Sequence, residues 1–181
     1  MEIPALVVTG PVGAGKTSVA TAISGLLDEA GIAHALVDMD ALRGCSPAPV
    51  DDPFHIQLGL RNLAAVWTNY RDAGARRLIL ADVVESRAEV AGYRAAVPGA
   101  RVVVVRLRAP VPVLVRRLEG RETGASLDWH CRRAAELAEQ MEASAVEDIL
   151  VDTEGVSIGA IAAEILSRWS EAARLSGGAG E

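Results

Sequence analysis

Short apolar runs alternate with longer amphipathic stretches along the whole chain. Residues 5–9 are apolar, opened by Pro4 and closed by Gly10, and predict a strand. Residues 16–30 place Val19, Ala20, Ile23, Leu26 and Leu27 on one helical face, with Gly31 as a stop. A second strand fits 33–38, with His34 at its start. The Pro-, Gly- and Asp-containing stretch 43–53 predicts a loop. A long helix fits 54–73, where Leu58, Leu63, Val66, Trp67 and Tyr70 share a helical spacing and Gly74 ends the pattern. Strands follow at 77–81 and 101–107, with a helix over 86–96 between them. Helices are expected at 111–119 and 128–143, a fifth strand at 148–151 and a closing helix at 158–175. Residues 176–181 read as a flexible polar tail.

Strands that are apolar throughout and alternate with helices imply a parallel sheet covered on both faces. At 181 residues the chain suggests one domain, 1–175, without internal repeat or linker. That length buries roughly 70% of the unfolded chain's surface, so no disulfide or metal staple is needed. Cys45 and Cys131 are too few for a disulfide framework, and nothing near them resembles a zinc site. No apolar run approaches the roughly 18 residues of a membrane span, and no basic segment precedes the first apolar run, so a cytoplasmic protein is expected.

The charge pattern narrows the function. A net charge of -6 and 3% aromatic residues argue against nucleic acid as a partner, since no basic stripe or stacking platform is evident. Of the 18 basic residues, Lys16 alone is lysine. It lies in Gly10-Pro11-Val12-Gly13-Ala14-Gly15-Lys16-Thr17, which fits G-x-x-x-x-G-K-[ST] at every fixed position. Glycines let such a loop wrap so that successive N–H groups point at one anion, and the next helix adds its positive dipole end. Lys16 would reach the β- and γ-phosphates, and the Thr17 hydroxyl would bind Mg²⁺. Ser18 continues the anion-facing turn. An arginine would be bulkier and forked where the loop needs a compact ammonium.

With this loop the chain resembles the P-loop kinase superfamily in its small-molecule phosphotransferase branch: chloramphenicol phosphotransferases, adenylylsulfate kinases and, more distantly, zeta-toxin-type kinases. The resemblance spans most of the chain, roughly residues 6–165. It implies an α/β P-loop fold with a five-stranded parallel sheet of order 2-3-1-4-5, helices on both faces and a small arginine-containing lid at about 116–133. It also implies ATP and Mg²⁺ as cofactors and a small-molecule hydroxyl acceptor. Asp38-Met39-Asp40-Ala41-Leu42-Arg43 is similar to the D-x-D-x-x-R of adenylylsulfate kinases. There Asp40 would orient the acceptor hydroxyl and take its proton, with Arg43 holding the acceptor. Asp38 would be substrate contact, outer metal ligand or structural. Asp82 after the third strand would hold Mg²⁺ through water, as a Walker-B carboxylate does, or cap a turn, and Glu85 would meet the acceptor. Arg117 or Arg121 would bridge the transferring phosphates from the lid, Arg116 lying beside them. Arg132 and Arg133 read as structural, pairing with Glu136 by helical spacing. Asp152 and Thr153 fall where nucleotide kinases pass the adenine. Phe54 and Trp129 flank the acceptor loop and lid as pocket candidates.

A one-lysine chain cannot carry the lysine-containing lid motif of adenylylsulfate kinases. It also lacks the Asp-Gly-Phe-Pro motif of nucleoside monophosphate kinases and a Gly-Gly-Gly acceptor site like that of shikimate kinases. The expected activity is therefore γ-phosphoryl transfer to a hydroxyl of an antibiotic, nucleoside, sugar or related metabolite. The competing reading is a P-loop ATP-binding or ATPase regulatory protein without an acceptor. A GTPase switch would need an Asn-Lys-x-Asp motif that one lysine cannot supply. No membrane partner is expected, and a homodimer stays open.

Overall fold

A computed structural model describes residues 2–177, with side-chain surroundings described through residue 170. The strands are β1 (Ile3–Thr9), β2 (Ala35–Asp38), β3 (Leu78–Ala81), β4 (Ala100–Arg108) and β5 (Ile149–Asp152). The helices are α1 (Lys16–Glu29), α2 (Ile56–Asp72), α3 (Val90–Ala96), α4 (Val111–Glu119), α5 (Gly124–Ser144) and α6 (Ile158–Gly177). Short 3₁₀ turns occupy Met39–Leu42 and Arg87–Glu89. All strand pairs are parallel, and the sheet order is β2-β3-β1-β4-β5, as the resemblance implied. Among the described residues no helix is long and apolar enough to cross a membrane.

Side chains alternate across a strand, and here both faces are apolar. Leu6 and Val8 of β1 join Ile23, Leu114, Ala162 and Ile165 in one core. Ala5 and Val7, pointing the other way, join Leu63, Trp67, Tyr93 and Val97 in a second. Helices α1, α4, α5 and α6 therefore cover one face, and α2 and α3 the other. Trp67 is fully packed, whereas Tyr70 on the same helix is exposed.

The element boundaries shift where local chemistry decides them. β1 begins at Ile3, earlier than its apolar run, because Pro4 sits where the strand still pairs with β4. α2 begins at Ile56, where the Asp52 carboxylate accepts from the Leu58 N–H and caps the first turn, so Phe54 stays outside the helix. The 86–96 stretch splits into the 3₁₀ turn and α3. α5 starts at Gly124, four residues before the first predicted position, so the segment expected as a lid consists of the end of α4, a four-residue link and the front of α5. Ser176 and Gly177, assigned from sequence to the tail, belong to α6; residues 178–181 lie outside the described residues.

Parallel pairing puts the ends of β1, β2 and β3 at one edge of the sheet: Val8 and Asp38 both pair Ala81. The loops leaving these strands must share one crevice, which is where open α/β sheets bind ligands.

Candidate active site

The loop after β1 is built around close backbone approaches. Gly10 has φ of 150°, and a Cβ there would lie 2.7 Å from the Leu107 carbonyl oxygen. Gly13 has φ of 84°, and its Cβ would lie 3.0 Å from the Leu114 carbonyl. Gly15, at φ of 93°, enters α1, whose first turn has no side-chain cap. Uncapped N–H groups at a helix start form a ready anion site. Lys16 Nζ donates to the carbonyls of Gly10 (3.1 Å) and Pro11 (3.3 Å), so the ammonium is folded back over the loop. Burial lowers its pKa below the ordinary lysine value. The carboxylates of Asp40, Asp82 and Asp38 oppose that lowering, and Arg121 reinforces it.

The Asp38 carboxylate ties the loop to the neighbouring strand end. One oxygen accepts from Thr17 Oγ1 at 2.8 Å and the other from the Asp40 N–H at 3.0 Å. Asp38 thus caps the 3₁₀ turn that carries Asp40. The Asp40 side chain is 80% exposed and lies 3.5 Å from Arg43 Nη1.

Asp82, expected either to hold Mg²⁺ through water or to cap a turn, has a fully buried side chain. It accepts from Arg43 Nη2 (2.7 Å), Tyr93 Oη (2.6 Å) and its neighbour Val83 N–H (2.7 Å). It does not line the cleft beside the phosphate loop. Burial, reinforced by the Asp82 carboxylate, raises the Tyr93 phenol well above its ordinary value, so Tyr93 keeps its proton and donates. The carboxylate in contact with Thr17 is Asp38.

The cleft measures about 740 Å³. Val12, Gly13, Gly15, Lys16, Thr17 and Ser18 of the phosphate loop and the start of α1 line it, together with Asp40, Arg43, Phe54, Val83, Glu85 and Glu89 from the loops after β2 and β3, and Arg121, Trp129, His130 and Arg133 from the α4–α5 segment. Phe54 and Trp129 are 64% and 48% exposed and face this space. The two arginines expected in the lid separate. Arg121 lines the cleft and lies 3.7 Å from Glu122. Arg117 turns to the backbone instead: it donates to Thr153 O (2.9 Å) and Thr153 Oγ1 (3.1 Å), and reaches Gly13 O at 3.4 Å. It clamps the phosphate loop to the loop after β5. Arg116 is exposed. Thr153 is buried within that clamp, whereas Asp152 is exposed, pairs with Arg108 at 2.7 Å and lines a different cavity, so its side chain does not face the cleft.

Three cleft residues escaped the sequence reading. Helical spacing predicts Arg133 as a Glu136 partner; it does lie 3.6 Å from Glu136, but it also pairs with Glu85. Its signal was the i, i+4 row Trp129-Arg133-Leu137 on α5. Glu89 accepts from Ser86 Oγ at 3.0 Å and from the Glu85 N–H at 3.3 Å. His130 pairs with Glu122 and meets Trp129 edge-on at 4.8 Å, holding the front turn of α5.

The sequence matches no family model and no curated protein. The fold, however, has solved counterparts. A gluconokinase from Sinorhizobium meliloti superposes with a TM-score of 0.65 at 22% identity, covering 96% of both chains. A sugar kinase from a Janibacter species gives 0.65 at 24% identity, covering 93% of this chain and 95% of its own. An APS kinase from Mycobacterium tuberculosis, solved with AMPPNP and APS, gives 0.59 at 20% identity, covering 92% of this chain and 96% of its own. What the geometry and these likenesses together show is the fold: the chain is built as the P-loop small-molecule kinases are.

Proposed function

We propose that the protein is an ATP-dependent phosphotransferase that moves the γ-phosphoryl group to a hydroxyl of a small molecule. Residues 1–175 act as one catalytic domain, and residues 116–133 as its lid. The observation that carries this reading is that one cleft is lined by the phosphate loop with Lys16, by the exposed carboxylate of Asp40 and by Arg121. A nucleotide switch or motor would not need a carboxylate and an aromatic pair opposite its phosphate loop.

The residues fit both absent groups. Glycine-enforced backbone and the uncapped start of α1 suit a polyphosphate. Thr17 Oγ1 and Asp38, 2.8 Å apart, offer hard oxygen donors. Among the described residues no three metal-ligating side chains cluster, so a cation here would take most of its ligands from phosphate and water, as Mg²⁺ characteristically does. Mg²⁺, when bound, neutralises charge on the transferring phosphate.

Lys16 would exchange its carbonyl contacts for phosphate oxygens. Asp40, held by the Asp38-capped turn, would orient the acceptor hydroxyl and receive its proton. Arg121 would close over the developing charge while Trp129 and Phe54 exclude water. Arg117 would work on the nucleotide side by holding the phosphate loop against Thr153. Arg43 and Glu85 would shape the acceptor's place.

The test pairs two variants. Lys16→Ala should abolish transfer with the fold intact. Asp40→Asn should leave calorimetric MgATP affinity nearly unchanged but cut transfer by about 10²-fold or more, the range for a lost general base. Acceptors are found by screening hydroxylated metabolites and antibiotics with γ-labelled ATP. Rapid ATP hydrolysis that needs no acceptor and is unaffected by Asp40→Asn would instead favour an ATPase.

A further inference from the structure

The charges on the acceptor side of the cleft are already committed to one another. Arg43 reaches the buried Asp82 at 2.7 Å and Asp40 at 3.5 Å. Arg133 is engaged by Glu85, with Glu136 at 3.6 Å. Glu89 has hydrogen-bond donors but, among the described residues, no cation in ion-pair contact. Lys16 faces the phosphate loop's own carbonyls, and Arg121 lies 3.7 Å from Glu122. On this side three carboxylates (Asp40, Glu85, Glu89) line the cleft with two arginines, each of which is already paired. The cleft also has apolar lining: Phe54 and Trp129, both exposed, together with Val83 and Leu137.

An acceptor bearing a carboxylate, sulfate or phosphate would need a free arginine here. Obtaining one means breaking Arg43 from Asp82 or Arg133 from Glu85, which strands a carboxylate in a partly desolvated site. A ring presented to Trp129 and Phe54 gains aromatic contact at no such cost, and an amine gains Glu89.

We propose that the acceptor is a ring-bearing alcohol that is neutral or carries an amine, and that anionic acceptors are refused because Asp82 and Glu85 occupy the arginines that would bind them. Trp129 and Phe54 hold the ring, and Glu89 meets the amine. This inference rests on the phosphotransferase reading, but it can be tested by binding alone.

Three probes share one indole ring: tryptamine (cation), tryptophol (neutral alcohol) and indole-3-acetate (anion). Each is titrated into ¹⁵N-labelled protein with Mg²⁺ and a non-hydrolysable ATP analogue, and the Trp129 indole N–H resonance is followed. Trp67 and Trp169, both buried, are internal references. Tryptamine and tryptophol should shift Trp129 and bind at least tenfold more tightly than indole-3-acetate. Glu85→Gln should free Arg133 and raise indole-3-acetate affinity at least fivefold. Glu89→Gln should weaken tryptamine and leave tryptophol unchanged. Equal or tighter binding of the anion to the wild type overturns the proposal, as does failure of both other probes to move Trp129. Neither result touches the transferase reading, which fails separately if the Lys16→Ala variant transfers phosphate like the wild type.

Discussion

Arg106 offers a quantitative test of how α5 is anchored. It sits on β4 opposite Thr9, and its side chain is only 4% exposed. Its Nε donates to Glu147 at 2.8 Å, and its Nη2 donates to Glu147 at 2.9 Å and to Glu142 at 2.9 Å. Glu142 is on α5 and Glu147 lies just after it, so this guanidinium pins the rear of the helix whose front carries Trp129 and Arg133. Glu147→Gln keeps the shape but removes the charge, and an amide oxygen can accept only part of the bidentate pair. Breaking a buried pair outright costs about 3–5 kcal/mol. Glu142 remains, 58% exposed and able to adjust. The expected loss is therefore about 2–3 kcal/mol, between one charge-assisted hydrogen bond and a whole pair. For a domain of this size that lowers Tm by roughly 5–10 °C. The pH dependence has a definite sign. Burial tends to raise the Glu147 carboxyl, but hydrogen bonds and charge from Arg106 outweigh it and hold the pKa below the ordinary glutamate value. The group's contribution is thus complete above the ordinary value and is lost as pH falls through the lowered folded one. Thermal unfolding of wild type and variant should differ fully at pH 7 and converge in the acid range below about pH 4.3. A Tm difference under about 2 °C at pH 7, or one independent of pH down to 3, would refute the anchoring argument.

Other outcomes follow from the same geometry. Asp82→Asn should change MgATP affinity by no more than about threefold, because the Asp82 carboxylate is buried against Arg43 and Tyr93; a calorimetric loss of tenfold would assign it to the metal site. Lys16 is the single lysine, so amine-directed labelling followed by peptide mass spectrometry should find one internal site. Because burial depresses it, its half-reactivity should fall below about pH 10.4, and MgATP should protect it. Unchanged labelling at saturating MgATP would count against the phosphate loop. Gly10→Ala should cost at least about 2 kcal/mol, since its Cβ would press on the Leu107 carbonyl at an unfavourable φ. Gly25→Ala on the open face of α1 should stabilise by about 0.5–1 kcal/mol, and chemical denaturation that ranks these two alike would contradict the loop geometry.

Much was legible from one dimension. The order of strands and helices was written in local periodicity, and the phosphate loop in the spacing of three glycines and the sole lysine, because both depend on residues a few positions apart. The place of Asp40 was legible for the same reason: it follows a strand by two residues, and parallel strands end on one edge. What the sequence could not specify was partnership. The Thr17–Asp38 contact joins residues 21 apart, Arg43–Asp82 joins residues 39 apart, and Arg133–Glu85 joins residues 48 apart. A carboxylate at a strand end is suited equally to a metal, an acceptor or an arginine. At Asp82 the packing of α3, which brings Tyr93 beneath it, and the 3₁₀ turn, which brings Arg43 above it, chose the arginine. The same holds in the lid, where Arg117 and Arg121 are four residues apart in one run of sequence. Helix α4 ends between them at Glu119, so one guanidinium stays on the helix against Thr153 and the other leaves with the link to face the cleft. Sequence sets which groups each element carries; only the crossing of elements decides which charges meet, because burial and distance, not identity, fix the energy of each pair.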